Sequence, residues 1–261
     1  MLGAMVGHGS RIVASMSRAV EPGRAMGLAI VGTIGLAALQ VHALDSPTVD
    51  YPSLIDHSAT AEGFVPKGWS LEIQARGDLN GDGRDDLALV LRDHDPRNII
   101  DNTDGLGPPR FDTNPRILAV AFGEGDGYRL ALANHTLIPR PDNPVLDDVL
   151  SENGGVSIQR DTLRVRLHLF ASAGGWTTAL STFTFRFQND RFELIGYDRS
   201  EVQRNTGGTM AISVNYSTGR MSRTTGSIAH DRSKTSWRRL PKRPLLTLEQ
   251  IGDGLDFDPT L

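Results

Sequence analysis

The sequence predicts a mainly β protein of antiparallel strands and hairpins, partial propeller-like or sandwich-like, with little helix. Three observations predict it. Several segments alternate apolar and polar residues with a period of two, turns rich in Asn, Asp and Gly separate them, and helix-period segments are nearly absent apart from TLEQI (247–251).

The first 43 residues stand apart. Arg18 and Arg24 precede an uncharged run, AMGLAIVGTIGLAAL (25–39), followed by QVHA. That order matches a Sec signal peptide: a positive n-region, an apolar h-region of about 7–15 residues, and small residues at −3 and −1 of the cut. Val41 and Ala43 suit those two positions, which places cleavage after Ala43; Met16 as a start would give an n-region of more ordinary length. The apolar run is shorter than the roughly 20 residues a helix needs to span a bilayer. The expected destination is the periplasm or the extracellular space. The 218 residues left after that cut carry a net charge of −6 and no cysteine. Disulfides, thiolate metal sites, a cysteine nucleophile and a lipobox anchor are thereby excluded.

Residues 44–68 mix Pro, Gly and polar residues around a few apolar ones and read as a partly ordered lead-in with one short helix near 52–58. Strands follow at WSLEIQAR (69–76), DLALVL (86–91), RILAVAF (116–122) and YRLALAN (128–134), with GEGDG (123–127) as a tight turn. RDHDPRNIIDNTDGLGPPRFDTNP (92–115) is too polar to pack as a core segment and reads as a long insertion within a region spanning 69–140. A further antiparallel region covers 141–246. In it, GVSIQ (155–159) precedes TLRVRLHLF (162–170), where Leu163, Val165, Leu167 and Leu169 share one face and Arg164, Arg166 and His168 the other, exposed one. STFTFRFQNDRFELIGYD (181–198) reads as a hairpin turning at Asn189-Asp190, and TMAISVNYS (209–217) leads to a turn at Thr218-Gly219. The last segment, 247–261, is an acidic tail.

The densest chemistry lies in GDLNGDGRDD (77–86). Asp78, Asn80 and Asp82 occupy positions 1, 3 and 5 of a loop, Gly83 position 6 and Asp86 position 9. Calcium takes six to eight oxygens at about 2.3–2.6 Å, and alternate side chains on a curled loop supply them. The carbonyl of Arg84, at position 7, is a further candidate ligand, while Asp85 faces solvent. An EF-hand would place a bidentate Glu at position 12, but Leu89 stands there, so the loop feeds a strand instead of a helix. Without a cation these carboxylates repel one another by about 1 kcal/mol per close pair even in high dielectric.

GDLNGDGRDDLALVL resembles the calcium-binding core of FG-GAP/VCBS repeats, found in integrin α-subunit propellers and many exported bacterial proteins. ILAVAFGEGDGYRLAL (117–132) is similar to the closing hairpin of that repeat. The resemblance implies Ca2+ bound by Asp78, Asn80, Asp82, the Arg84 carbonyl and Asp86. It covers about 71–132 and supplies a single repeat; GDGLDFDP (252–259) is acidic but lacks the spacing.

Other candidates are weaker. Between 220 and 248 there are eight basic residues and one acid, Asp231, whereas 44–219 holds 16 basic and 25 acidic residues. The basic stretch 220–243, with Trp237 beside its arginines, suits an envelope protein, a glycan or an anionic polymer; it also suits a solvated strand face or a surface docking the acidic part of the same chain. Export argues against nucleic acid. The histidines lack metal-ligand spacing, no G-x-S-x-G elbow occurs, and His94 between Asp93 and Asp95 is the most enzyme-like cluster, though a sequence-adjacent Asp-His-Asp is ordinarily an exposed polar run. No catalytic residue is assigned. The expected role is an exported calcium-binding β-protein, binding or structural, at a bacterial envelope. A periplasmic hydrolase with a structural calcium, and an adhesion or protein-interaction module, are the alternatives.

Overall fold

A computed structural model describes residues 46–151 and 154–260; the leader and its cleavage position lie outside the described residues. Fourteen strands form two antiparallel sheets and one small hairpin. The first sheet holds β1 (His57–Ser58), β2 (Trp69–Gly77), β3 (Asp86–Asp93), β6 (Arg116–Glu124) and β7 (Gly127–Asn134), in the order β1-β7-β6-β3-β2. Between β3 and β6, β4 (Ile99–Asp101) pairs with β5 (Arg110–Asp112). The second sheet is a seven-stranded meander running from β8 (Gly155–Ile158) through β9 (Leu163–Phe170), β10 (Thr177–Gln188), β11 (Arg191–Gln203), β12 (Gly208–Asn215) and β13 (Arg220–Ser227) to β14 (His230–Arg239). Each strand expected from 69–91, 116–134 and 155–217 is present, and no α-helix occurs among the described residues.

The sheets pack face to face in a sandwich-like arrangement. Ala88 and Val90 of β3 and Leu118, Val120 and Phe122 of β6 meet Leu163, Val165 and Leu167 of β9, Phe183 and Phe185 of β10, and Phe192, Leu194 and Tyr197 of β11. Alternation then sends Leu87, Leu89 and Leu91 of β3, with Ile117, Ala119 and Ala121 of β6, to the opposite face. A β-strand that is apolar at every position needs cover on both sides. The lead-in supplies it. Ala61 and Phe64, both 1 % exposed, close that face with Tyr51, Leu54 and Val65 packed around them. Burying Phe64 contributes about 2–3 kcal/mol, which ties the lead-in to the sheet. The short helix expected near 52–58 is absent; residues 52–56 form no regular element and lead into β1, which adds to the edge of β7. Sheet cover, which needs reach, overrides local helix propensity here.

The chain's end behaves similarly. Leu248 is fully buried and Phe257 packs edge-on against Phe183 and Tyr197 at 5.3 and 5.2 Å. The insertion 92–115 is more ordered than its polarity suggests. Asn98, Thr113 and Asn114 are buried, and side-chain bonds satisfy them: Asn98 Nδ2 donates to Asp93 Oδ2 (3.1 Å) and Asn114 Oδ1 (3.0 Å), and Arg140 donates to Asn98 Oδ1 (3.0 Å). At the hairpin between β10 and β11, Asn189 and Asp190 adopt φ of 53° and 58°, the positive values a type I′ turn requires.

One ionic cluster bridges segments far apart in sequence. Arg92 and Arg116 lie opposite each other across β3 and β6. Two like charges directly opposed would be destabilising. Glu72, at the bulge where the β2–β3 register shifts, and Asp148 neutralise them. Arg116, 1 % exposed, donates to Glu72 at 2.6 and 2.8 Å and to Asp148 at 2.6 Å; Arg92 reaches Asp112 at 3.0 Å. Burial raises the Glu72 and Asp148 carboxyls, but the Arg116 hydrogen bond and charge outweigh it and hold both below their ordinary values.

Candidate functional site

The aspartate loop spans the turn from β2 to β3. Gly77 ends one strand and Asp86 starts the next, so residues 78–85 project beyond the sheet. Gly81 and Gly83, at φ 79° and 82°, curl the loop into a conformation that a side chain would strain. Asp78 sits at its centre. Its Oδ1 accepts from the Gly81 N–H at 2.7 Å and its Oδ2 from the Gly83 N–H at 2.9 Å. These bonds, led by that from Gly83, hold its carboxyl below the usual range. Asn80 Oδ1 accepts from the Asp82 N–H (3.0 Å), and Asp82 Oδ1 from the Arg84 N–H (2.9 Å). Arg84 is exposed and turns its guanidinium toward the Gly125 carbonyl at 3.4 Å.

Asp86 differs from the others. It is fully buried, accepting from the Leu79 N–H on Oδ2 (2.7 Å) and from the Gly123 N–H on Oδ1 (2.8 Å). One carboxylate therefore fastens the loop base to the β6–β7 hairpin. Burial pushes its carboxyl up, and the charges of Asp82 and Asp78 push it the same way.

All five sequence-predicted residues thus fall in one loop, and an all-oxygen donor set suits a hard divalent cation. Their side-chain oxygens accept from backbone N–H groups, and Asp82 Oδ2 from the Asn80 amide at 3.2 Å, leaving lone pairs for a further partner. Among the described residues, no three His, Asp or Glu side chains converge as a ready metal cage. Neither does any Lys or Arg form an ion pair with Asp78, Asp82 or Asp86. Beside the loop, Arg84, Asp85 and Gly123–Tyr128 line an open cleft of about 500 Å³.

Among the described residues, His94, His135 and His168 have separate partners. His94 Nε2 lies 2.7 Å from Ser70 Oγ, a contact that sequence reasoning missed because the partners are 24 residues apart. Neither neighbouring carboxylate orients that imidazole. Asp93 bonds the His94 backbone N–H and Asn98, and Asp95 binds Arg97. His135 stacks on Tyr51 at 4.2 Å. His168, expected on an exposed face, is 9 % exposed, and its Nδ1 has no hydrogen-bond partner. Residues 145–150 run beside that end of β9, with the His168 N–H bonded to the Val149 carbonyl, and this explains the difference. None of the three lines the described clefts.

The basic stretch forms β13, β14 and the segment after them. All ten residues of β14 are exposed. Among the described residues, none of the eight basic side chains from Arg220 to Arg243 makes a salt bridge. No family model, curated protein or solved structure matches the chain.

Proposed function

We propose that the chain is an exported β-protein, related to FG-GAP/VCBS repeats, in which Ca2+ held by Asp78, Asn80, Asp82, the Arg84 carbonyl and Asp86 stabilises the sandwich. It serves a binding or structural role at a bacterial envelope. The observation that carries this reading is a loop whose three ligating carboxylates have no protein cation to offset them, one being buried at the loop's root. A divalent ion relieves that repulsion in a loop that Asp86 already ties to the β6–β7 hairpin. For a site of extracellular affinity, Kd near 10⁻⁴ M, millimolar calcium adds about 1–2 kcal/mol of stability.

Calorimetry with added calcium and with chelator tests it. Melting should fall by several degrees in chelator, and Asp82→Ala should remove the difference while folding normally. Equal melting in both conditions overturns the reading. A second reading concerns partners and rests on β14, exposed throughout, with unpaired cations around it. That surface takes an anionic envelope polymer or acidic protein, with attraction that weakens as salt rises. Salt-dependent retention on an anionic resin, lost on Arg232→Ser with Lys234→Ser and Arg238→Ser, checks it.

A further inference from the structure

The outer face of the seven-stranded sheet carries a line of side chains that neither the core nor the calcium reading uses. Strand register places Arg166 opposite Thr182, Thr182 opposite Asp198, Asp198 opposite Ser213, Ser213 opposite Ser222, and Ser222 opposite Trp237. Directly opposed residues of antiparallel strands point to the same face. Six side chains from six consecutive strands therefore form one row, about 24 Å long at about 4.8 Å per strand.

The row borders a trough. Thr182, Asp198, Ser200, Ala211, Ser213 and Ser222 line a cavity of about 310 Å³, and the neighbouring row is kept low by Ser200 and Ala211. On the other side, Gly196 has no side chain between Thr184 and Asn215. Among the described residues, the side chains of Thr182, Asp198, Ser213 and Ser222 make no hydrogen bond to protein; Thr224, at the trough's margin, is bonded to Thr235 at 2.8 Å. Beyond the residues that line this cavity, strand register sets Trp237 opposite Ser222. Trp237 is 64 % exposed, and the Arg220 guanidinium, 5.0 Å from its ring, steadies the indole.

We infer that this trough binds a linear glycan chain laid across the strands, with a sugar ring stacked on Trp237 and sugar hydroxyls bonded to Asp198 and the Ser/Thr row. The electrostatics select that class. Between Arg166 and Trp237 the row carries a single charge, Asp198. The arginines of the flanking row, Arg164, Arg220 and Arg239, stand at its two ends with Thr184, Gly196 and Asn215 between them. The middle therefore offers a polyanion or polycation no continuous counter-charge, whereas hydroxyl donors and acceptors match a polyhydroxylated ligand there. A concave surface with a few free polar groups and an aromatic wall is the usual form of such a site. This site is independent of the calcium reading, since the loop belongs to the other sheet.

The test is titration calorimetry of the full chain with cellohexaose, chitohexaose, the hexamer of galacturonic acid and polyphosphate. Tryptophan emission is followed in parallel for the chain and for Trp237→Ala, the difference isolating Trp237 from Trp69 and Trp176. At least one hexasaccharide should bind and shift the emission. Trp237→Ala should weaken it about tenfold. Ala211→Lys, at an exposed strand position, should block the trough while the circular dichroism stays unchanged. Binding should persist in chelator and in Asp82→Ala, which separates this result from failure of the calcium reading. The inference is overturned if no hexasaccharide binds at millimolar concentration, if binding survives both Trp237→Ala and Ala211→Lys, or if only polyphosphate perturbs Trp237.

Discussion

The cluster around Arg116 and the loop at 78–86 both gather carboxylates, and they dispose of the charge in opposite ways. In the cluster, Glu72, Asp112 and Asp148 meet two arginines from adjacent strands, so the negative charge is met by cations of the same chain. In the loop, Asp78 and Asp86 are held by backbone N–H groups, and Asp82 by the Arg84 N–H and the Asn80 side-chain amide. Partial positive charge on an amide orients a carboxylate without cancelling it. The comparison teaches that the first region balances its carboxylates with charges of its own chain, whereas the second has no charged partner among the described residues, which is the premise of the calcium proposal.

Arg116→Met should produce the largest effect. It leaves Glu72 and Asp148 without their main partner and should cost about 3 kcal/mol in urea unfolding, at the low end for a buried pair because both carboxylates reach solvent. Calcium should not restore it. Asp86→Ala comes next, at about 2 kcal/mol, since it strands the Leu79 and Gly123 N–H groups and the loss of repulsion offsets part of that. Its loss should persist in chelator, unlike that of Asp82→Ala, because the hairpin tie is separate from the ion.

Acid sharpens the contrast further. Glu72, Asp112 and Asp148 are held below their ordinary values of 4.5, 3.8 and 3.8; for Asp112, burial opposes this and bonds from Asn114 with the Arg92 charge outweigh it. A lowered folded value means stability that is fully present above the unfolded range and lost as pH falls through the folded values. Calcium-free stability measured from pH 6 downward should therefore hold until about pH 4 and then decline, and Arg116→Met should flatten that decline. The smallest change is at the β10–β11 turn. Asp190→Gly supplies the positive φ without strain and should stabilise by about 0.5–1 kcal/mol, read as a small rise in melting temperature.

How much of this was legible follows from the kind of interaction involved. Strands β9, β10 and β11 are readable because Leu163, Val165 and Leu167, then Phe183 and Phe185, alternate at the period of a strand. The loop's residues are readable because all five lie within nine positions. The Arg116 cluster is not, since Glu72 and Asp148 lie 44 and 32 residues from Arg116, and Glu72 sits at a bulge that breaks the alternation. Strand β14 is legible only as a solvated strand face somewhere within 220–243, without bounds: HDRSKTSWRR has no apolar face, and pairing with β13 defines it. The row from Arg166 to Trp237 is invisible for the same reason, because register across six strands appears only once the meander is folded.

Strand β14 closes the meander at a sheet edge, so one side of its backbone presents donors and acceptors with no neighbouring strand among the described residues. Such a border templates the addition of another chain. Here the border bristles with Arg232, Lys234, Arg238 and Arg239, and two copies meeting there would bring like charges within a few ångströms. The molecule thereby guards its own margin against stacking into fibres, most strongly in dilute buffer and least in concentrated salt.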